Sequence, residues 1–195
     1  MAGRVQIFVS HSSRDPNLKL FSQAFGVTHV KAEEVEFENI ITLPWWKTIK
    51  EKVAASVATF VLLSKPLEEL KHTQDWIDFE VGLSCAEDKQ VWVFEPQGQE
   101  IEFVVPFCTY YCIYDPTEPN AAEIERLKWY IDMYAGETSA KTLWTAPSVT
   151  CPTDDCLLEF RVMSNVDTFR CPSCRKPLLW NRQTGQTDPV EDDPR

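Results

Sequence analysis

The 195-residue chain is predicted to have an α/β fold, with an open parallel sheet of five strands, helices on both faces of the sheet, and a small C-terminal β module. Two observations predict this class. Short apolar runs rich in β-branched residues alternate with amphipathic helical patterns over residues 1–142, as in parallel strands joined by crossover helices. Beyond residue 145 the pattern changes to short strand segments and turns around four cysteines.

The five strands of the first module are predicted at residues 5–9, 35–37, 59–64, 91–94 and 110–114. The sequences VQIFV and TFVLLS, in the first and third of them, are apolar without interruption, as expected for strands that are buried on both faces. Five strands separated by helices fit a flavodoxin-like open sheet, since right-handed crossovers leave few other topologies.

Four helices are predicted between and after these strands, at residues 18–25, 45–56, 73–88 and 120–135. In the second helix, Trp46, Ile49 and Val53 recur at helical spacing and form one apolar face. In the third helix, Ile77 and Leu83 belong to a similar apolar set. These patterns predict helices that each pack one apolar face against the sheet.

Composition divides the chain into three segments. Residues 1–142 form the α/β module, residues 146–182 form the cysteine module, and residues 183–195 are a polar, acidic, proline-containing tail for which disorder is predicted. No internal repeat and no low-complexity run interrupts these segments.

The charge balance excludes some classes of function. With 19 basic and 30 acidic residues the formal net charge is −11, which disfavours a protein that coats nucleic acid or an anionic membrane. No run of 18 apolar residues exists that could span a bilayer, and the apolar part of the opening MAGRVQIFVSHSSRD is too short for a signal peptide. We therefore expect a cytoplasmic protein that does not bind membranes.

Four of the seven cysteines follow the spacing of a metal site, namely Cys151, Cys156, Cys171 and Cys174. Two pairs of thiolates with two or four intervening residues, brought together by a hairpin, can complete a closed tetrahedral site that holds a structural zinc ion. The module is therefore predicted to be a zinc ribbon. The alternative is four reduced cysteines packed in a hairpin. Zinc ribbons bind proteins or nucleic acids, and the acidic balance favours a protein partner here.

Candidate ligand-binding residues lie where strands of the predicted sheet end, because open parallel sheets bind ligands at the carboxyl ends of their strands. Ser10 and His11 follow the first strand, and Ser64 follows the third. No glycine-rich phosphate loop is present. Trp76 and Glu80 are four residues apart, so they share one face of the third helix, which starts close to the same edge.

Three runs resemble a Toll/interleukin-1 receptor (TIR) domain of the microbial type: VQIFVSHSSRD, PWWKTIKEKVAASVATFVLLS and TQDWIDFEVGLSCAEDKQVWVFE. The resemblance covers about residues 4–135. It comprises a first strand ending in Ser-His-Ser, a strand ending in Leu-Leu-Ser, and a helix with the pattern W-x-x-x-E between Trp76 and Glu80.

The resemblance implies an NAD-consuming enzyme that breaks the bond between nicotinamide and ribose, as a hydrolase or a cyclase, in immune or antiviral signalling. It implies Glu80 as the catalytic residue and a homo-oligomer formed through TIR surfaces. Substrate-binding residues would be Phe8, Ser10, His11, Trp45, Ser64 and Trp76.

Two other functions remain open from the sequence. The first is a TIR adaptor without enzymatic activity, which acts by self-association and has no need of a carboxylate in the crevice. The second is a recognition protein that works through its zinc ribbon, with an α/β module that only binds a nucleotide.

Overall fold

The computed structural model describes residues 5–34, 45–117, 121–134, 146–163 and 166–190. Its strands are β1 Gln6–Ser10, β2 Lys31–Glu33, β3 Ala58–Leu62, β4 Gln90–Pro96, β5 Tyr110–Tyr114, β6 Ser148–Thr150, β7 Glu159–Met163, β8 Thr168–Arg170, β9 Pro177–Asn181 and β10 Gln186–Pro189. Its helices are α1 Leu18–Gly26, α2 Trp45–Ala55, α3 Lys65–Glu69, α4 Lys71–Ala86 and α5 Ala121–Asp132.

The predicted α/β class is confirmed. Strands β1 to β5 lie side by side in the order β2-β1-β3-β4-β5, and every neighbouring pair is parallel. Strand β2 occupies Lys31–Glu33, whereas the strand predicted at residues 35–37 lies outside the described residues. The structure adds the short helix α3, which the sequence analysis did not predict.

Among the residues that the structure describes, the main sheet already has seven strands, so the prediction of five is too small. Strand β7 pairs in parallel with β5, and β6 pairs antiparallel with β7, which gives the order β2-β1-β3-β4-β5-β7-β6. An apolar β5 at the edge would leave backbone groups unpaired, and β7 satisfies them. Two strands of the cysteine module therefore belong to the sheet of the α/β module.

The remaining strands form a second, antiparallel sheet in the order β10-β9-β8. Strand β10, Gln186–Pro189, lies within residues 183–195, for which disorder was predicted, and residues 191–195 lie outside the described residues. The predicted boundary between the two modules, at residues 142–146, also falls almost entirely outside them.

Side chains alternate between two cores on opposite faces of the main sheet. On one face, Trp92 and Phe94 of β4 pack with apolar residues of α1 and α5. On the other face, Val91 and Val93 of β4 belong to a cluster that also contains Phe160 of β7 and apolar residues of the second sheet. The second core is therefore shared between the α/β module and the cysteine module.

In the part of the chain that the structure describes, no helix combines the length and the apolar character needed to cross a bilayer.

Removal of the Phe160 ring tests the shared core. Phe160 is 2% exposed, so Phe160→Ala is expected to lower the free energy of unfolding of the whole chain by about 3–5 kcal/mol. Leu179→Ala is the control, since that side chain is 47% exposed, and we expect a change within about 0.5 kcal/mol. Urea unfolding followed by far-ultraviolet circular dichroism measures both. A separate early transition in Phe160→Ala, with the main transition unmoved, would contradict a shared core.

Candidate functional site

The central feature of the candidate site is a buried hydrogen bond between Ser10 and Glu80. The Ser10 hydroxyl donates to Glu80 Oε2 at 2.5 Å. Ser10 is the last residue of β1 and Glu80 lies in α4; they are 1% and 5% exposed. The carboxylate therefore points inward, to the carboxyl end of the first strand. We call these two residues the Ser10–Glu80 pair.

Helix α4 is held in this orientation by hydroxyl groups one turn further along. The Ser84 hydroxyl donates to the Glu80 carbonyl at 2.7 Å and lies 2.6 Å from the hydroxyl of Thr59 in β3. Thr59 is opposite Phe8 of β1 in the sheet register. Residues four apart share a helix face. Because Ser84 contacts β3, Glu80 faces the sheet one helical turn earlier and reaches the end of the neighbouring strand β1.

The environment of Glu80 shifts its proton affinity. Burial raises the pKa of Glu80 from its ordinary 4.5 to about 7, while the hydrogen bond from Ser10 and the charge of His11 act in the opposite direction. A carboxyl group with a pKa near neutrality can be protonated or ionised under ordinary conditions, which is a property of catalytic acids and bases.

His11 lies beside the pair, with both ring nitrogens on acceptors. Its Nδ1 is 3.0 Å from the Ser12 carbonyl oxygen, and its Nε2 is 3.4 Å from a carboxylate oxygen of Glu34. Burial alone would lower the pKa of His11, but these contacts raise it overall. Because both nitrogens can donate only in the protonated ring, the arrangement favours a positive charge near Glu80.

A small cluster of aromatic and apolar side chains joins β1 to α2 and α4. Phe8 is fully buried in a small cluster with Ile49 and Val53 of α2, and Trp45 and Trp76 pack against that cluster. The rings of the two tryptophans meet edge to face, with centroids 3.9 Å apart. Of the predicted substrate-binding residues, Ser10 donates a hydrogen bond to Glu80 and His11 acts on it through its charge, whereas Phe8, Trp45 and Trp76 belong to this apolar cluster.

The Ser64 side chain is buried beside a second carboxyl group, that of Asp15. Burial raises the pKa of Asp15 to about 6, while the charge of His11 and a contact with Ser64 act against this rise. The charge of His11 therefore acts on both Asp15 and Glu80. Tyr114, also close to Asp15, packs in the core on the α1 side of the sheet. Sequence analysis did not select Asp15, because no pattern in SRDPN indicates that this carboxylate is buried.

The four predicted metal ligands come together. The Sγ atoms of Cys151, Cys156, Cys171 and Cys174 all lie within 4.8 Å of one another. The distance is 3.7 Å between Cys151 and Cys174 and 3.7 Å between Cys156 and Cys171. Zinc–sulfur bonds of about 2.3 Å in a tetrahedron separate the sulfur atoms by roughly 3.8 Å. The donor set and its spacing therefore fit a metal ion such as zinc.

The two cysteine pairs have the same backbone construction despite their different spacing. In the first knuckle, residues 151–158, the Cys151 N–H donates to the Leu158 carbonyl at 2.9 Å. In the second knuckle, residues 171–176, the Cys171 N–H donates to the Lys176 carbonyl at 2.9 Å. In each case the acceptor lies two residues beyond the second cysteine of the pair, so the longer first spacing is accommodated inside the turn.

The residue after the second cysteine of each knuckle has a left-handed backbone. The φ angle is 49° at Leu157 and 59° at Arg175, a region that non-glycine residues seldom occupy.

Burial alone would raise the pKa of the Cys174 thiol, but hydrogen bonds from the Lys176 backbone and from neighbouring thiols lower it. The pKa of Cys171 is raised by burial.

A cavity of about 370 Å³ lies elsewhere, at the carboxyl ends of β4 and β5. Its wall includes Glu95 and Tyr111 from the main sheet and Arg170 from β8, so both sheets form it. Neither Ser10 nor Glu80 lines this cavity.

No protein-family model matches this chain, and no curated protein matches it at a significant level. The resemblance to TIR domains therefore stays a prediction that rests on the three sequence runs.

The pKa of Glu80 predicts a pH-dependent stability. Since the folded chain holds this proton more tightly than the unfolded chain, the free energy of unfolding should fall as pH rises from 4.5 to about 7, relative to Glu80→Gln. The fall should approach about 3 kcal/mol. Urea unfolding at pH 5 and pH 8 measures it, with Glu51→Gln at an exposed position of α2 as the control. An equal difference between wild type and Glu80→Gln at both pH values would contradict the burial of Glu80.

The cysteine cluster predicts one tightly bound zinc ion per chain. Cys171→Ser should lower zinc affinity at least about tenfold, because one thiolate of a closed site is lost. Cobalt substitution should give the visible absorption of a tetrahedral thiolate site in the wild type and a weaker band in the variant. Cys85→Ser, which lies outside the cluster, should bind both metals like the wild type. Equal zinc affinity in Cys171→Ser and the wild type would exclude this ligand.

Proposed function

We propose that this chain is a TIR-type enzyme that cleaves the nicotinamide–ribose bond of NAD, with Glu80 as the catalytic residue. The proposal rests on the resemblance of three sequence runs and on one structural observation. That observation is a carboxyl group, 5% exposed and with a pKa raised to about 7, held by Ser10 at the end of the first strand.

The position of the pair supports ligand binding there. Reading the first five strands as a flavodoxin-like sheet, the order β2-β1-β3-β4-β5 reverses direction between β1 and β3. Open α/β sheets bind their ligands outside the carboxyl ends of the strands at such a point. Ser10 ends β1, so the pair lies at the place where a nucleotide is expected.

The chemistry requires stabilisation of a positively charged sugar. When the bond between the ribose carbon and the nicotinamide nitrogen breaks, its electron pair leaves with neutral nicotinamide and an oxocarbenium-like centre remains. The ionised Glu80 carboxylate can accept hydrogen bonds from the ribose hydroxyls and stabilise that charge. Ser10 occupies one acceptor position of Oε2, which fixes the orientation of the carboxylate and leaves other lone pairs for the sugar.

The intermediate is then captured by an oxygen or nitrogen nucleophile. Water addition and loss of one proton yield ADP-ribose, whereas attack by a hydroxyl or ring nitrogen of the same nucleotide yields a cyclic product. Trp45 and Trp76, which pack beside Phe8, offer aromatic surface for the nicotinamide or adenine ring. From the same resemblance we propose a homo-oligomer in immune or antiviral signalling. From the apolar patterning and the cysteine module we propose a cytoplasmic location and a protein partner at the zinc ribbon.

Incubation of the purified chain with NAD, followed by mass analysis of the products, tests the activity. The wild type should release nicotinamide together with ADP-ribose or a cyclic nucleotide. Glu80→Gln keeps a hydrogen-bond acceptor for Ser10 but cannot ionise, so its rate should fall about 100-fold or more.

Asp78→Asn is the matched control, since it makes the same carboxylate-to-amide change at an exposed position two residues away on α4. It should retain nearly the full rate. Wild-type turnover in a folded Glu80→Gln variant would exclude Glu80 from the mechanism.

The adaptor function is the second candidate, and exposed aromatic side chains favour it. Trp46 and Phe79 are 43% and 36% exposed, on helices α2 and α4. Such side chains suit self-association. An adaptor would leave NAD intact in both the wild type and Glu80→Gln.

A further inference from the structure

Two contacts join the second cysteine knuckle, residues 171–176, to the α/β sheet. Arg175, next to the metal ligand Cys174, extends into the protein, and its Nη2 lies 2.7 Å from both carboxylate oxygens of Glu95. In addition, the Val105 N–H donates to the Pro172 carbonyl at 2.8 Å. The knuckle is therefore held by β4 and by the segment that follows it.

The ion pair is deeply buried. The side chains of Arg175 and Glu95 are 4% and 7% exposed, and the Tyr111 hydroxyl of β5 donates to Glu95 Oε2 at 2.5 Å. Glu95 lies near the carboxyl end of β4, and Tyr111 is opposite Val162 of β7. Two strands of the main sheet, β4 and β5, thus meet at one carboxylate, and the cation that neutralises it comes from the knuckle.

The left-handed backbone at Arg175 makes the Arg175–Glu95 ion pair depend on the folding of the knuckle. A φ of 59° at a non-glycine residue is unfavourable, so the surrounding turn must hold it in place. Without a metal ion, four neighbouring thiols have no common partner to close that turn, and a metal-dependent module loses much of its folding free energy. Arg175 would then leave Glu95 as a buried carboxylate without its cation, which is strongly unfavourable.

We propose that metal occupancy of the four-cysteine site and the packing of β4 and β5 are coupled through the Arg175–Glu95 ion pair. The four-cysteine site then stabilises the α/β sheet itself and not only a ribbon that folds separately. The inference requires that the cysteines hold a metal, but it does not depend on NAD cleavage. Thermodynamic linkage makes the coupling reciprocal, so a change at Glu95 must alter the affinity for the metal.

The decisive test is the zinc affinity of Glu95→Gln in the full chain, measured by competition with a chromogenic chelator. Glu95 is not among the candidate metal ligands, yet Glu95→Gln should lower zinc affinity at least tenfold. Glu123→Gln is the matched control, because Glu123 forms another largely buried ion pair, with Arg126 at 2.5 Å, within α5. It should bind zinc like the wild type. Equal zinc affinity in Glu95→Gln and the wild type would overturn the proposal, and so would a wild type that binds no zinc.

Hydrogen exchange provides a second measurement that does not require the variant to fold. In the wild type, removal of zinc with EDTA should speed exchange at least tenfold in peptides covering β4 and β5. If zinc is removed and faster exchange is confined to residues 146–190, the ribbon is a separate module and the coupling is excluded.

Discussion

The candidate site depends on the burial of one carboxyl group that water no longer solvates. Glu80 has a single hydrogen bond from the Ser10 hydroxyl, and no cation forms a direct ion pair with it among the residues that the structure describes. One neutral donor does not replace the hydration of a carboxylate, so its pKa rises to about 7. The buried carboxyl group destabilises this position of α4, and the hydrogen bonds of the Ser84 and Thr59 hydroxyls help to keep the helix in place. Such unfavourable burial is typical of functional sites.

The sequence pattern separates the cysteine module from the α/β module, but in the structure the two share one sheet and one core. The alternation of Phe160 and Val162 in β7 places both residues in the core of the main sheet, and Arg175 neutralises a carboxylate of β4. A short metal-binding segment has too little apolar surface to fold alone. Here it shares the core of the α/β sheet, which explains why its knuckles can be small.

The sequence predicted those features that depend on local pattern. Continuous apolar runs located β1, β3, β4 and β5 to within a few residues, and cysteine spacing identified the four thiols that converge. It did not predict features that depend on distant partners. The pairing of β7 with β5, the burial of Asp15 and the ion pair across 80 residues between Glu95 and Arg175 leave no local periodic signal. Ser64 was selected with Ser10 because both follow strands that end at the same edge of the sheet, and the local sequence did not reveal that Ser64 lies beside the buried Asp15.

The most direct test of the account is a nuclear magnetic resonance titration of the Glu80 side-chain carboxyl carbon, with and without NAD, assigned by its loss in Glu80→Gln. The account predicts a pKa near 7 in the free chain and a clear shift of this resonance when NAD is added. A carboxyl group that titrates near its ordinary value of 4.5 and does not respond to NAD would contradict both the buried site and its proposed function.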